Sequence, residues 1–185
     1  MRIAITGGIG AGKSYVCTLL RAHGIEVYDC DSAAKRLMAT SALIRERLQQ
    51  LVGPAVYSRG TLQKAVLAAY LLQSEQHKQA VNDIVHPAVA ADFISSGLTW
   101  LESAILFDSG FDRRVRFDRV VCVTAPRYIR VQRIMARDNI SESRALEWIN
   151  RQMPQERMRQ QSDYEIVNDG VCDLDNQINN ILNRL

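Results

Sequence analysis

The chain has 185 residues, enough for one domain with a sizeable core, and its 47% apolar and 23% charged content is that of an ordinary globular protein. A formal net charge of +3 is too mild to argue for nucleic acid, although it suits a protein that handles small polyanions. The longest apolar run, residues 65–72, is far too short to span a bilayer.

Residues 2–6, RIAIT, read as a strand, so the chain opens without room for a signal peptide, and a cytoplasmic setting is expected. GGIGAGKS follows, from Gly7 to Ser14, with Gly7, Gly12, Lys13 and Ser14 at the fixed positions of G-x-x-x-x-G-K-[ST]. Glycines let the backbone wrap phosphate oxygens, and the N–H groups of such a loop converge on an anion. Lys13 offers a mobile positive charge for the β- and γ-phosphates, and the Ser14 hydroxyl offers a ligand to Mg²⁺. A helix over 13–23, ended by Gly24, puts its positive end at the same place.

Residues 25–31 read as a second strand ending in Asp29 and Asp31, which share a face if the strand continues through them. An isolated pair of this kind is more often a helix cap, by Asp31 or Ser32, for a helix starting near Ala33. Beside a phosphate loop, Asp31 falls where a second substrate would meet the phosphates, because ligands of open α/β sheets lie at the carboxyl ends of strands.

The stretch 33–52 is helical with a break near 39–41, and 53–60 is a turn-rich connection. Thr61 is a plausible cap for an apolar helix over 61–74. A helix over 75–84 should end before His86-Pro87, and another should start at Pro87 and run to 96. Residues 99–107 read as a buried strand interrupted by Glu102, with Asp108 just beyond; an acid near the end of such a strand is the expected neighbour of a bound magnesium.

A strand over 119–124 leads into a helix over 127–138, ended by Asp138-Asn139, and then a helix over 140–152. Arg130, Arg133 and Arg137 recur at helical spacing and share a face. They read as a lid over nucleotide phosphates, since the guanidinium fork donates in parallel pairs. The plainer alternative is a solvated basic face paired with Glu142, Glu147 and Glu156. A strand over 164–168 and a helix over 173–184 close the chain. Cys17, Cys30, Cys122 and Cys172 form no C-x-x-C pair; three lie in apolar runs and should be buried thiols, in keeping with a reducing compartment.

Strands alternating with helices predict a parallel sheet covered on both faces. There is no N-K-x-D, as a guanine-specific switch would need, and no strand ending in Asp-Glu, as a motor would. The acid after the second strand and the arginine-rich segment favour a small-molecule kinase. A nucleoside-monophosphate kinase and a non-catalytic nucleotide-binding module remain as alternatives.

The whole chain resembles the dephospho-coenzyme A kinase family. The likeness runs through Thr6–Ser14, Asp29-Cys30-Asp31, the stretch Gly60–Leu67, Asn82 with His86-Pro87, Ile105–Gly110, and Gln132, Arg133, Arg137 and Asp138. Gln152 and Asn168-Asp169-Gly170 complete it. The resemblance implies a P-loop NTPase fold with a five-stranded parallel sheet. It implies one kinase domain over 1–185, with its core at 1–31, 98–126 and 163–185, a helical acceptor region over 32–97 and a lid over 127–162. The implied partners are ATP with Mg²⁺ and dephospho-coenzyme A, with no nucleic acid or membrane. The implied ATP site is Gly8, Gly10, Ala11, Gly12, Lys13, Ser14, Tyr15, Arg133 and Arg137. Thr6, Asp31, Lys64 and His86 would serve the acceptor, Ser14 the metal, and Asp31, Lys13 and Arg137 the chemistry. Tyr15 stands where the family usually has Thr, Asp108 where it has Glu, and Glu102 where it has Asp before a proline.

Overall fold

Ile3–Thr6 forms β1, and all four residues are buried. A strand covered on both faces loses polar alternation in this way. In the computed structural model, which describes residues 1–185, α1 follows at Lys13–Ala22, with Val16, Cys17 and Leu20 on its inner stripe. β2 is Val27–Asp29, and α2 (Cys30–Thr40) and α3 (Ala42–Val52) come next. After a single 3₁₀ turn at Pro54–Val56, β3 (Tyr57–Ser58) and β4 (Thr61–Leu62) make a hairpin. Two helices follow, α4 (Lys64–Leu71) and α5 (Glu75–Ser96). The chain then forms β5 (Trp100–Glu102), α6 (Phe111–Arg114) and β6 (Arg119–Thr124). The remaining elements are α7 (Arg127–Asp138), α8 (Glu142–Asn150), α9 (Gln155–Gln160), β7 (Tyr164–Val167) and α10 (Leu174–Leu182).

The main sheet has the order β2-β5-β1-β6-β7. β1 pairs in parallel with β5, with Ile3 opposite Trp100, and with β6, with Ile3 opposite Arg119; β6 pairs in parallel with β7. The chain contacts group into two units, Met1–Tyr28 with Leu98–Leu185, and Asp29–Gly97. In the first, Ile5, Val16, Leu20, Val121, Ile166 and Ile178 belong to one buried cluster. Each such side chain contributes about 1.5–3 kcal/mol by leaving water. In the second, α2 and α3 pack on α5, whose Val81, Val85, Val89 and Phe93 are buried.

Four expectations change. The helix expected from Thr61 starts at Lys64, because Arg59 and Gly60 both take positive φ (48° and 80°) and turn Thr61 back to pair with Ser58. Such a two-residue turn is a strong hairpin device. The boundary expected at His86-Pro87 is absent, and α5 runs straight through. Pro87 lies on the solvent side while the stripe of valines continues on the other, and that burial offsets the roughly 3 kcal/mol a proline costs a helix interior.

The strand expected over 99–107 stops at Glu102. Its neighbour β1 ends at Thr6, and the last ladder bond is from Ser103 N–H to the Ile5 carbonyl at 3.0 Å. The helix expected from Ala33 starts at Cys30, because Asp29 is the cap. Cys17, Cys30 and Cys122 are buried, Cys172 is exposed, and all four are free thiols. No helix is long and apolar enough to cross a membrane.

Candidate functional site

The glycine loop joins the carboxyl end of β1, the central strand, to the first turn of α1. Gly12 ends it as the helix N-cap at φ 90°, ψ 29°. A Cβ there would sit 2.1 Å from Asn168 Nδ2, and a Cβ on Gly8 would sit 2.3 Å from an Arg130 terminal nitrogen. Gly12 needs glycine for its positive φ, and a side chain at Gly8 would displace the Arg130 guanidinium.

What packs there is a set of donors aimed at the loop carbonyls. Arg130 Nε donates to the Ile9 carbonyl at 2.9 Å. Arg133 Nη1 donates to Gly10 O and Ala11 O at 3.4 and 3.3 Å, and Asn168 Nδ2 donates to Ala11 O at 3.0 Å. Arg133 Nη2 in turn donates to Asn168 Oδ1 at 3.1 Å, which fixes the asparagine's orientation. In a trans peptide the C=O and the next N–H point to opposite sides. Holding the carbonyls of Ile9 and Ala11 outward thus turns the N–H groups of Gly10 and Gly12 inward, as an anion cradle requires. The Ile9 N–H is committed elsewhere, donating to Gln152 Oε1 at 2.7 Å.

Lys13 is buried, and its ammonium lies 3.7 Å from a Glu102 carboxylate oxygen at the end of β5. Ser14 and Tyr15 are exposed at the head of α1, and Tyr15 N–H donates to the Gly12 carbonyl. Thr6 is sealed from solvent, with a hydroxyl that has no hydrogen-bond partner. Gly12, Tyr15, Arg133, Asn168, Gly170 and Cys172 help to line an open groove of about 560 Å³. Burial, and then the charge of Arg127, hold Arg130 below the ordinary arginine range.

The arginines divide by depth along the chain. Arg130 and Arg133 turn to the loop. Arg137 is exposed and holds its own neighbour, Asp138, at 2.7 Å. Arg144 and Arg151 both pair with Glu147, and Arg159 pairs with Glu156. The solvated-face alternative thus describes these outer arginines, and not the two at the loop.

In the second unit, Asp29 caps α2: its Oδ1 accepts from Ser32 N–H at 2.9 Å and its Oδ2 from the Ser32 hydroxyl at 2.8 Å. Asp31 stands exposed in the first turn, with no capping duty. Lys64 is the exposed first residue of α4, and His86 is half-buried midway along α5, not at a helix boundary. No group of three or more His, Cys, Asp or Glu is arranged to hold a metal.

The family model described as dephospho-CoA kinase matches residues 1–173. The chain belongs to the dephospho-CoA kinase family. A curated dephospho-CoA kinase of Bacteroides fragilis is 41% identical over 185 residues, covering 96% of this chain and 89% of its own. A Thermus thermophilus protein of known crystal structure superposes with a TM-score of 0.85 at 31% identity, covering 100% of this chain and 97% of the other. The dephospho-CoA kinase of Campylobacter jejuni, at 17% identity, 99% and 96% coverage and a TM-score of 0.68, shares the fold.

Within this member of the dephospho-CoA kinase family, sequence reasoning missed the carbonyl clamp of Arg130 and Asn168 and the ion pair of Lys13 with Glu102. The arginine spacing was visible. The depth of each arginine was not, because it depends on how closely α7 approaches the loop: the Arg130 carbonyl lies 2.7 Å from where a Gly10 Cβ would be.

Proposed function

We propose that the chain transfers the γ-phosphoryl group of ATP to the ribose 3′-hydroxyl of dephospho-coenzyme A, giving coenzyme A and ADP, the final step of coenzyme A synthesis. The observation that carries this is the loop itself. Its carbonyls are clamped outward by Arg130, Arg133 and Asn168, which leaves inward amides and Lys13 for a polyphosphate.

In this reading the 3′-oxygen attacks the γ-phosphorus, the bond from that phosphorus to the β–γ bridging oxygen breaks, and ADP leaves. Asp31, free of capping, orients the hydroxyl and takes its proton. Lys13 and the amides of Gly8, Gly10, Gly12 and Ser14 hold the β- and γ-phosphates, while the N–H of Ala11 donates to the Gly8 carbonyl at 3.1 Å and closes the loop on itself. Tyr15 and Arg133 border the groove for the rest of the nucleotide. Arg137, exposed at the end of α7, reaches the transferring group when the segment 127–162 closes, and closure excludes water. Thr6, Lys64 and His86 serve the acceptor.

Magnesium suits these residues. It keeps several waters and needs few protein ligands, so the exposed Ser14 hydroxyl together with phosphate oxygens suffices, and Glu102 beside Lys13 supplies an acid close by. Bound there, it would neutralise charge on the phosphates. Four free thiols are compatible with a reducing cytoplasm, where we place the protein.

The test is ADP release with Mg-ATP and dephospho-coenzyme A, AMP, CMP, UMP or no acceptor. Turnover that requires dephospho-coenzyme A supports the reading. Turnover only with a nucleoside monophosphate, or none with any acceptor, rejects it.

A further inference from the structure

Behind the loop lies a separate cleft of about 350 Å³. None of the residues 7–14 lines it, so it is not the phosphate cradle. Its polar lining comes from Arg127, Arg130, Asn150, Gln152, Gln155 and Glu156. Arg130 is 95% buried by its 5% exposure, and no carboxylate lies within ion-pair distance of it. Its single hydrogen bond, Nε to Ile9 O, leaves both terminal nitrogens without one. Burial first, and then the charge of Arg127, holds the Arg130 guanidinium below the ordinary arginine range. Arg127 and Arg130 both line this cleft, with the terminal nitrogens of Arg130 lying between it and Gly8, and an anion there would offset the cost of two guanidinium groups with so little counter-charge.

The amides of the cleft agree. Each has its oxygen already taken by a donor, which fixes its orientation without ambiguity. Asn150 Oδ1 accepts from Arg127 Nη2 at 2.9 Å, Gln152 Oε1 accepts from Ile9 N–H at 2.7 Å, and Gln155 Oε1 accepts from Ala125 N–H at 3.1 Å. Each therefore keeps both amide N–H donors unclaimed. The one acid in the lining, Glu156, has both oxygens held by Arg159 and one also by Gln160. The cleft thus holds unused amide donors, while each of its side-chain acceptors is already engaged by at least one donor.

We propose that this cleft binds a phosphate-type oxyanion, inorganic phosphate or the phosphate of a small monoester, and that its occupancy is coupled to the phosphate loop. The size fits: 350 Å³ is at the small end of ligand pockets. The coupling runs through Ile9. Arg130 holds its carbonyl and Gln152 holds its N–H, so an anion that draws either side chain shifts the peptide on which the cradle depends. Linkage then requires that ATP and the second anion alter each other's affinity.

The test is calorimetric titration of the full chain, first saturated with a non-hydrolysable ATP analogue so that the cradle is filled, with inorganic phosphate and separately with glycerol phosphate. Phosphate is expected to bind once per chain in the presence of the analogue. Arg127→Gln should weaken it by about 10- to 100-fold, as expected for loss of a charged hydrogen bond, while Lys13→Met, likewise saturated with the analogue, leaves it unchanged; the analogue should in turn bind the wild-type chain with a different affinity at saturating phosphate, and an unchanged affinity overturns the coupling. Arg127 is exposed, so this variant keeps the fold and decides the matter even if Arg130→Met does not fold. Tighter binding of glycerol phosphate would make the source a monoester; equal or weaker binding would make it free phosphate. Loss of phosphate binding when the analogue is present, or in Lys13→Met, or retention of full affinity in Arg127→Gln, overturns the proposal. Binding is read without turnover, so the result stands apart from the assay of the kinase reaction.

Discussion

Asn168, at the end of the last strand, donates from Nδ2 to the carbonyl of Ala11, 157 residues earlier, at 3.0 Å, and accepts from Arg133 on its other side. It is buried, so neither hydrogen bond is replaced by water when the side chain is cut. Asn168→Ala is expected to cost about 1–3 kcal/mol of stability and to raise the KM for ATP by about 10-fold or more, with the KM for dephospho-coenzyme A little changed. Asn168→Asp should be worse than the alanine, because a carboxylate oxygen would face the Ala11 carbonyl. Steady-state kinetics with each substrate varied in turn, beside urea unfolding, check both.

The pair Asp29 and Asp31 separates an acid that caps α2 from one that does not, which we propose as the base. Asp29→Ala removes two hydrogen bonds to Ser32 and is expected to cost about 0.5–2 kcal/mol. Asp31→Asn removes no cap, so its unfolding midpoint should match wild type while kcat falls by about 10²–10⁴, the usual scale for a general base. An Asp31→Asn enzyme that turns over at the wild-type rate rejects the assignment of the base.

The motif at Gly7–Ser14 was legible because its spacing carries its own geometry: strand, glycine turn, lysine and helix leave no other arrangement. The buried strands at 3–6 and 119–124 were legible as unbroken apolar runs. The cap at Asp29 was not, because an acid one residue before a helix and one inside its first turn look alike in sequence, and only the Ser32 contacts distinguish them. The Arg59-Gly60 hairpin and the unbroken helix through Pro87 were also hidden. The helix through Pro87 is decided by packing of its valines, which offsets a local preference, whereas the hairpin rests on a positive φ at Arg59, which a residue other than glycine rarely takes and its sequence does not announce.

Arg133 and Arg137 should fail in different ways. Arg133 joins the loop to Asn168, so Arg133→Met is expected to lower stability by about 1–3 kcal/mol and to raise the KM for ATP. Arg137 touches only Asp138, on the surface, so Arg137→Ala should unfold like wild type. If, as proposed, it neutralises the transferring group, Arg137→Ala should lose about 10³-fold or more in kcat. If Arg137→Ala instead changes only the KM for one substrate, its place is in binding.

Glu102 and Lys13 form an ion pair of two largely buried side chains, 10% and 14% exposed for lysine and glutamate. Glu102→Gln keeps the shape and removes the charge. If Glu102 supports the proposed magnesium, an acid in that place is worth about 10–100-fold, so kcat should fall by that amount and the magnesium concentration for half-maximal rate should rise. An unchanged magnesium dependence would assign Glu102 to holding Lys13 alone.

Cys172 lines the groove beside Gly12 and Tyr15, and its thiol donates to Asp169 Oδ2 at 3.3 Å. That hydrogen bond, then partial burial and the carboxylate's charge, hold the thiol above the ordinary cysteine range. Asp169 itself is held below the usual carboxylate range by the backbone N–H groups of Cys172 and Val171, so it stays ionised throughout the pH range in which the thiol titrates. Thiolate is the reactive form, so alkylation of Cys172 by iodoacetamide should rise with pH to a midpoint higher than that of a free thiol. Asp169→Asn removes the carboxylate, lowers that midpoint and speeds labelling at pH 8. Cys17, Cys30 and Cys122 are buried, and burial pushes Cys122 up to about 12, so they should stay unlabelled while the chain is folded. Bound ADP should slow the labelling of Cys172, because the nucleotide would occupy the same groove. Mass spectrometry of the labelled peptide over pH 7–10, with and without ADP, reads all of this; labelling of Cys172 that is indifferent to both Asp169→Asn and ADP would show that neither the carboxylate nor the nucleotide reaches it.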